Sequence, residues 1–285
     1  MKKYLSLIKF SHTIFAMPFA LLGFTLASQK YGFSIEKLIY VILCMIFARS
    51  AAMAFNRYLD RDIDKVNPRT LIREIPSGII KSKNALIFTY ISALLFILSS
   101  YMLNNLCFVL SPLALLVILG YSYTKRFTSL CHIVLGIGLG LAPIGAYIAV
   151  SGSFHLIPVL IGLAVLCWVA GFDIIYALQD EEFDKSNGLF SIPASIGKKN
   201  ALFVSTFLHV ICMILLFWSI RLIQSEYPSS GVMLWISFGI FTFLLWYQHT
   251  LVTSTNLSKV NMAFFTTNGI ASLLFGLLSI IDLIF

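Results

Sequence analysis

The sequence predicts an all-α protein that crosses a membrane several times. Its mean hydropathy is +0.92, and only 11% of its 285 residues are charged. Apolar stretches of about 20 residues, the length that a helix needs to span a bilayer, recur along the whole chain. Because these stretches use almost all of the sequence, we expect residues 1–285 to form a single transmembrane domain.

Nine membrane spans are predicted, in chain order. They lie at 10–28, 36–58, 84–103, 105–123, 130–150, 156–178, 200–222, 231–250 and 261–284. The first follows Lys2, Lys3 and Lys9 and so resembles a signal peptide, but the eight spans after it favour a retained first helix. The five cysteines lie singly in or beside the spans and are interpreted as small buried hydrophobic residues.

The distribution of Lys and Arg predicts the orientation in the membrane. Fifteen of the twenty basic residues lie in the N-terminus or in alternate loops, and Arg57 lies at the adjoining end of the second span, so sixteen fall on one side of the spans. Cytoplasmic loops carry such an excess, so we expect the N-terminus and the two long loops, 59–83 and 179–199, to face the cytoplasm. The protein is accordingly predicted to lie in the inner (cytoplasmic) membrane. The net charge of +8 fits this topology and contact with anionic lipid headgroups. The basic residues form no patch that would suggest binding of nucleic acid. The sequence also gives no sign of an obligate protein partner.

Acidic residues are concentrated in and beside the two long loops. Nine of the twelve carboxylates fall between Asp60 and Glu74 or between Asp173 and Asp184. Like charge at this density is costly in an apolar protein unless cations bridge it. The two clusters therefore predict a site for Mg²⁺ and a diphosphate.

Within each cluster the oxygen-bearing side chains share one helical face. Asn56, Asp60 and Asp64 are four residues apart, which on a helix places them within about 80° of one another. The second cluster repeats this spacing, and its members are Asp173, Tyr176, Asp180 and Asp184. Mg²⁺ prefers hard oxygen ligands and accepts phosphate oxygens of a substrate as well. A single pair at this spacing would simply cap a helix or solvate a loop, whereas two in-phase copies indicate a metal site.

The two acidic segments also resemble each other at an offset of 120 residues. The run Asp60-x-x-x-Asp64-Lys65-x-Asn67 recurs as Asp180-x-x-x-Asp184-Lys185-x-Asn187. Four predicted spans separate the copies, and an even number places both copies on the same side of the membrane. This pattern suggests a parallel internal repeat whose two motifs open on one central cavity.

Basic residues accompany the acids and suit a site that binds an anionic substrate. Arg69, Arg73 and Lys125 are candidates for contacts with that anion, although the excess of positive charge in cytoplasmic loops accounts for basic residues here as well. No histidine pair has metal-ligand spacing. His132 and His12, near the predicted cytoplasmic face, are candidates for contact with the substrate.

These motifs resemble those of the UbiA superfamily of intramembrane aromatic prenyltransferases, and the resemblance extends over the whole chain. The family's first motif, Asn-Asp-x-x-Asp-x-x-x-Asp, is matched by Asn56, Asp60 and Asp64, with Arg57 in place of its second residue. Its Arg-Pro-Leu-Pro-Ser-Gly run appears here as residues 73–78. The second motif, Asp-x-x-Tyr-Ala-x-x-Asp-x-x-x-Asp, is matched in full by Asp173, Tyr176, Ala177, Asp180 and Asp184.

Three shorter runs are similar to the 4-hydroxybenzoate polyprenyltransferase branch of the family. They are residues 8–13, 176–180 and 191–193. That branch also contains enzymes acting on 1,4-dihydroxy-6-naphthoate in the futalosine route to menaquinone, and the run Arg73-Glu74-Ile75-Pro76 resembles this group. Hydroxybenzoate and hydroxynaphthoate acceptors therefore both stay open.

The resemblance implies about nine transmembrane helices around a central cavity, with cytoplasmic cap loops and an opening to lipid. It implies Mg²⁺-dependent transfer of a polyprenyl group from its diphosphate to an aromatic acid acceptor in ubiquinone or menaquinone biosynthesis. It assigns Mg²⁺ to Asn56, Asp60, Asp64, Asp180 and Asp184, substrate contacts to Arg69, Arg73, Lys125 and Tyr176, and catalysis to Asp60, Asp180 and Asp173. Asp173 would stabilise the allylic cation or accept the ring proton, and Arg69 or Arg73 would pair with the acceptor carboxylate.

Two alternatives come from other classes of protein. A cation-coupled secondary transporter also uses buried carboxylates on a repeated scaffold. Transport sites lie near the bilayer midplane, however, whereas these carboxylates are predicted at cytoplasmic helix ends, with only Asp173 reaching inward. A non-catalytic membrane chaperone or assembly factor would not need two motifs with metal-ligand spacing.

Overall fold

A computed structural model of the protein describes residues 2–7 and 15–285, and every regular element in these ranges is helical. The helices are α1 (Lys2–Leu7), α2 (Met17–Tyr31), α3 (Ile35–Leu59), α4 (Arg61–Val66), α5 (Ser82–Leu103), α6 (Asn105–Thr124), α7 (Cys131–Ser151), α8 (Leu156–Ala177), α9 (Glu181–Ser186), α10 (Ile192–Glu226), α11 (Met233–Leu251) and α12 (Asn268–Ile284). A 3₁₀ turn at Leu178–Asp180 joins α8 to α9, and a π-helical turn at Met262–Thr267 precedes α12.

Each of the nine predicted spans corresponds to one long helix in the described part of the chain. Seven of these segments are long and apolar enough to cross a membrane: α3, α5, α6, α7, α8 with α9, α10, and the π turn with α12. The other two are α2, which has 15 residues, and α11, which ends in the polar run at 248–250. The prediction of an all-α, multi-pass membrane protein is confirmed.

The predicted long loop at 179–199 is wrong in its second half. Helix α10 begins at Ile192, because Ser191 caps it: the Ser191 hydroxyl accepts a hydrogen bond from the Ala194 N–H at 3.3 Å, and Pro193 occupies the first turn. The helical path is then interrupted at Gly197, whose φ of 78° glycine adopts readily. Hydropathy alone does not reveal this helix start.

Helix α2 lies within the aromatic core of the bundle. Its Phe19 ring contacts Trp168 of α8 and Phe275 of α12, with ring centroids 5.4 and 5.5 Å apart. All three side chains are fully buried. A helix that supplies part of the core supports the prediction of a retained first span rather than a signal peptide.

Helices α7 and α8 approach closely through glycines. A Cβ atom on Gly140 would lie 2.5 Å from the Gly162 carbonyl oxygen, and one on Gly136 would lie 2.5 Å from the Leu166 carbonyl oxygen. Small residues permit such backbone contact between membrane helices. This contact holds the first turn of α7 beside the last turns of α8, where the second acidic motif lies.

We expect Gly140→Ala to destabilise the protein by about 1–3 kcal/mol, because the added methyl group must push α7 away from α8. The measurement is the thermal unfolding of the detergent-solubilised protein. Gly145→Ala is the matched control, since a Cβ at Gly145 on the same helix meets no atom within 4 Å. Equal melting temperatures for the two variants would contradict close packing at Gly140.

Candidate active site

Both acidic segments line one cavity of about 820 Å³. The walls come from the ends of α3 and α8, the short helices α4 and α9, the loop after α4, the start of α7 and the π turn. The prediction that the two motifs open on a common cavity is confirmed. All ten predicted site residues line it: Asn56, Asp60, Asp64, Arg69, Arg73, Lys125, Asp173, Tyr176, Asp180 and Asp184.

Each motif is interrupted at its central aspartate rather than carried on one continuous helix. Asp60 separates α3 from α4 with φ −86° and ψ 3°, and Asp180 directly precedes α9 with φ −101° and ψ 3°. The short helices that follow, α4 and α9, have six residues each and lie 120 positions apart. This equivalence supports the internal repeat. Backbone hydrogen bonds from Asp60 N to Asn56 O (2.9 Å) and from Asp64 N to Asp60 O (2.7 Å) keep the first motif on one face despite the break.

Asp60 is held by two cations that follow α6. The Lys125 ammonium lies 2.7 Å from one carboxylate oxygen and the Arg126 guanidinium 2.9 Å from the other. The Asn56 amide donates to the same carboxylate at 3.1 Å. Asp60 is 2% exposed, so these partners offset the cost of removing its charge from water.

Asp64 is only partly satisfied. Arg73 donates to its Oδ1 at 2.7 Å, while its Oδ2 is buried and has no hydrogen-bond partner among the described residues. The neighbouring Asp62 points to solvent, with its side chain 80% exposed against 4% for Asp64. A buried carboxylate oxygen without a partner marks a place for a further ligand.

Asp180 accepts both the Nε–H (3.0 Å) and one terminal N–H of Arg69. The other terminal nitrogen of Arg69 donates to the Tyr176 hydroxyl at 2.8 Å, and the Tyr176 ring stacks on Phe264 of the π turn with centroids 4.2 Å apart. Burial disfavours the charged form of Arg69, but the hydrogen bonds and charge of Asp180 outweigh it and raise the pKa of Arg69. Arg69 therefore remains a cation in the cavity.

The remaining two acids are held from the start of α10 and from α7. The Ser191 hydroxyl donates to Asp184 at 2.8 Å. Asp173 lies 2.7 Å from His132 Nδ1, and the Ile192 N–H points at His132 Nε2 from 3.3 Å. The candidate His132 thus lies in the site, whereas His12 lies outside the described residues.

The acidic donor set fits a divalent cation. The cavity is lined by the Asn56 amide and by the carboxylates of Asp60, Asp64, Asp180 and Asp184, and Asp64 Oδ2 offers an unused lone pair. In the described arrangement no three His, Cys, Asp or Glu side chains converge on one point, because the acids are engaged by basic residues and a hydroxyl. Metal binding therefore requires some of these ion pairs to exchange partners.

A second cavity of about 490 Å³, almost entirely apolar, adjoins the first. Its walls come mainly from α3, α5, α6 and α7. Five residues line both cavities: Arg49, Met53, Tyr121, Leu135 and Leu139. The molecule thus offers a charged compartment and an adjoining apolar one that share part of their walls.

Three basic residues at the site are not among the substrate contacts chosen from the sequence: Arg49 and Arg57, which line the polar cavity, and Arg126, which pairs with Asp60. The signal for Arg49 and Arg57 was their place within a predicted apolar span, because a charge there commonly marks a functional site. Arg57 stands where the family motif has an acid, and it is 5% exposed. The sequence pattern favoured Lys125 alone, because a spacing pattern does not show that two adjacent cations both reach the same carboxylate.

The model of the UbiA prenyltransferase family matches residues 16–270. The chain belongs to this family. It is 31% identical over 242 residues to a 4-hydroxybenzoate octaprenyltransferase of Polynucleobacter asymbioticus, covering 85% of this chain and 82% of the relative. It is 30% identical over 239 residues to that of Aliivibrio salmonicida, covering 84% and 81%.

Solved UbiA structures have the same fold. The apo structure of a UbiA homolog from Aeropyrum pernix K1 superposes with a TM-score of 0.84 at 32% identity, covering 95% of this chain and 98% of that one. A UbiA homolog from Archaeoglobus fulgidus bound to GPP and Mg²⁺ gives a TM-score of 0.75 at 22% identity, covering 99% of each; at this identity the likeness shows the fold alone. The family confirms the predicted enzyme class, a membrane prenyltransferase, over the transporter and the assembly factor.

We expect cysteines introduced at Ser77 and Ser186 to react with a membrane-impermeant maleimide from the same side of the membrane. A third cysteine, at Ser153, should react from the opposite side, because Ser153 follows the far end of α7 and this helix of 21 residues rises about 30 Å. All three positions are exposed. Unmodified protein is the control, because its five cysteines are buried or half-buried. Labelling of Ser77 and Ser186 from opposite sides would contradict a shared cavity.

Proposed function

We propose that this UbiA-family enzyme transfers a polyprenyl group from polyprenyl diphosphate to an aromatic acid, in a Mg²⁺-dependent reaction of ubiquinone or menaquinone biosynthesis. The acceptor is of the 4-hydroxybenzoate or 1,4-dihydroxy-6-naphthoate type. The observation that carries the proposal is the charged cavity adjoining an apolar one, because a polyprenyl diphosphate combines the same two chemistries in one molecule. The names of the curated relatives and the GPP and Mg²⁺ in the Archaeoglobus fulgidus structure support it.

The acidic face of the cavity would hold the metal. Its proposed ligands are Asn56, Asp60, Asp64, Asp180 and Asp184. Bound Mg²⁺ would act as a Lewis acid and offset the charge that develops on the departing diphosphate. The unpartnered Oδ2 of Asp64 is the oxygen most readily available to it.

The cations that now pair with these acids would bind the diphosphate. When the carboxylates turn to metal ions, Lys125 beside Asp60, Arg73 beside Asp64 and Arg69 beside Asp180 are left next to the anion. Charge-assisted hydrogen bonds from such groups are strong, and they strengthen as the leaving group gains charge. The same ion pairs that stabilise the free site therefore place substrate contacts in advance.

The allylic carbon would lie where the two cavities meet. It connects a diphosphate in the polar cavity to a tail in the apolar one, and Arg49 lines both. An acceptor ring that approaches this carbon would have its carboxylate within the reach of a guanidinium. We therefore add Arg49 to Arg69 and Arg73 as a contact for the acceptor carboxylate.

In the proposed reaction the allylic carbon–oxygen bond breaks and its electron pair leaves with the diphosphate. The ring carbon ortho to the phenolic hydroxyl forms the new carbon–carbon bond, and the proton on that carbon passes to a base. Asp173 suits this role because its side chain is 24% exposed and lines the cavity. It precedes Asp180 by seven residues, about 10 Å of helical rise, and so lies on the inner side of the diphosphate site.

The proposal also covers the membrane in which the protein lies and the side of that membrane on which the polar cavity opens. The excess of Lys and Arg in the segments around the polar cavity supports a cytoplasmic location for that cavity, in the inner membrane. A soluble aromatic acid would enter from the cytoplasm, while the prenyl donor would enter from the lipid. We treat residues 1–285 as one catalytic domain.

Membranes containing the protein should form a prenylated aromatic acid when supplied with geranyl diphosphate, Mg²⁺ and either 4-hydroxybenzoate or 1,4-dihydroxy-6-naphthoate. Product is measured by mass spectrometry. EDTA should abolish the reaction and excess Mg²⁺ restore it. Because each removes a charge proposed to hold the metal, Asp60→Asn, Asp64→Asn and Asp180→Asn should each lower the rate at least ~100-fold.

Asp62→Asn is the matched control for these variants. It removes the same charge from α4, the short helix that carries Asp64, but the Asp62 side chain is exposed to solvent, so turnover should be unchanged. Full activity in EDTA would refute the metal role. An equal loss of turnover in Asp62→Asn would show that the loss comes from the change in net charge and not from a metal ligand. No product with either acceptor would refute the proposed substrates.

Asp173→Asn should retain binding of geranyl diphosphate with Mg²⁺ but form product at least ~100-fold more slowly, because the amide keeps the shape of the side chain and lacks its basicity. Binding is measured by equilibrium dialysis beside turnover. Lost binding would make Asp173 a metal or structural residue. Unchanged turnover would exclude it from the reaction.

A further inference from the structure

His132 lies behind Asp173, at the first turn of α7. Its Nδ1 is 2.7 Å from Asp173 Oδ2, and its side chain is 4% exposed. The Asp173 side chain lines the polar cavity and is 24% exposed. The carboxylate is therefore tied to the protein through Oδ2 and still reaches the cavity.

The tautomer of His132 follows from its second contact. The backbone N–H of Ile192 points at Nε2 from 3.3 Å, so Nε2 acts as the acceptor. A neutral imidazole that accepts at Nε2 carries its hydrogen on Nδ1. The Nδ1–H is then the donor to Asp173, which is an acceptor when ionised.

The Ile192 N–H is available because it belongs to the first turn of α10. N–H groups at a helix start have no partner within the helix. Ser191, the preceding cap, accepts from Ala194 and donates to Asp184 at 2.8 Å. The start of α10 thus orients Asp184 directly and Asp173 through His132, so two acids of the polar cavity share one anchor.

We infer that His132 is a positioning residue: the Ile192 N–H holds the imidazole, and the imidazole in turn fixes the orientation of the Asp173 carboxylate towards the acceptor ring. This inference rests on the proposed function and extends it, because it assigns the orientation of the base to a residue that does not contact the reacting atoms. A hydrogen-bond donor fixed behind a base sets the direction in which the base points, as partners of ligating and catalytic side chains do in other sites.

Two substitutions separate the two hydrogen bonds of His132. In His132→Asn the amide nitrogen occupies nearly the position of Nδ1 and keeps the donor to Asp173. In His132→Gln the amide oxygen reaches the position of Nε2, so it keeps the acceptor for Ile192 and loses the donor. Turnover of geranyl diphosphate with the preferred acceptor should fall at least about tenfold further in His132→Gln than in His132→Asn.

The loss should appear in kcat, with KM for geranyl diphosphate changed less than about twofold, because the proposed diphosphate contacts do not include His132. In an Asp173→Asn background, His132→Gln should cause less than about a twofold further loss, since the histidine acts through the carboxylate. Equal losses in kcat for both single variants, or additive losses in the double variant, would overturn the inference. Wild-type turnover tests the proposed function separately.

The tautomer can be measured without activity. Protein labelled with ¹⁵N-histidine should show a histidine with a protonated Nδ1 and an unprotonated Nε2, and this signal should be absent from His132→Gln. A hydrogen on Nε2 would overturn the inference even in an active enzyme. The pattern would support it even if the wild-type protein used another acceptor.

Discussion

The structure depends on the burial of acidic side chains at the end of an apolar helical bundle. Asp60 and Asp64 are almost fully removed from solvent, and an ionised carboxylate is stable there only beside cations or several donors. The protein provides them from segments that close over α3 and α8: Lys125 and Arg126 after α6, and Arg73 in the loop after α4. The packing of these segments around the cavity follows from the charges inside it.

The same constraint prepares the site for an anionic substrate. A site with acids alone would repel a diphosphate, and a site with cations alone would bind no Mg²⁺. With both present as ion pairs, the proposed diphosphate and its Mg²⁺ would exchange partners with charges that are already buried, and no new charge would have to be desolvated alone. In this proposal the reactive part of the donor would lie near the residues that line both cavities.

Elements distant from the acids hold them in place. The π turn carries Phe264, which stacks on Tyr176, and the turn is itself anchored in the core by Asn268: its amide donates to the Ala263 carbonyl at 2.9 Å and accepts from the Trp168 indole at 2.8 Å. π-helical turns often occur at functional sites because they turn side chains out of the regular helical order. The start of α10 has the corresponding role on the opposite wall.

The amino-acid sequence by itself determined the helical membrane fold, the two acidic motifs and their placement on one cavity. These features follow from local patterns: length and hydropathy decide which segments enter a bilayer, and a four-residue spacing decides which side chains share a helical face. Only the tertiary structure decided the partner of each acid. Arg126 reaches Asp60 across 66 residues and His132 reaches Asp173 across 41, and such pairs depend on how helices approach one another. The hydropathy pattern also did not predict that α10 begins at Ile192, because a serine cap and a proline set this helix start and apolar content does not.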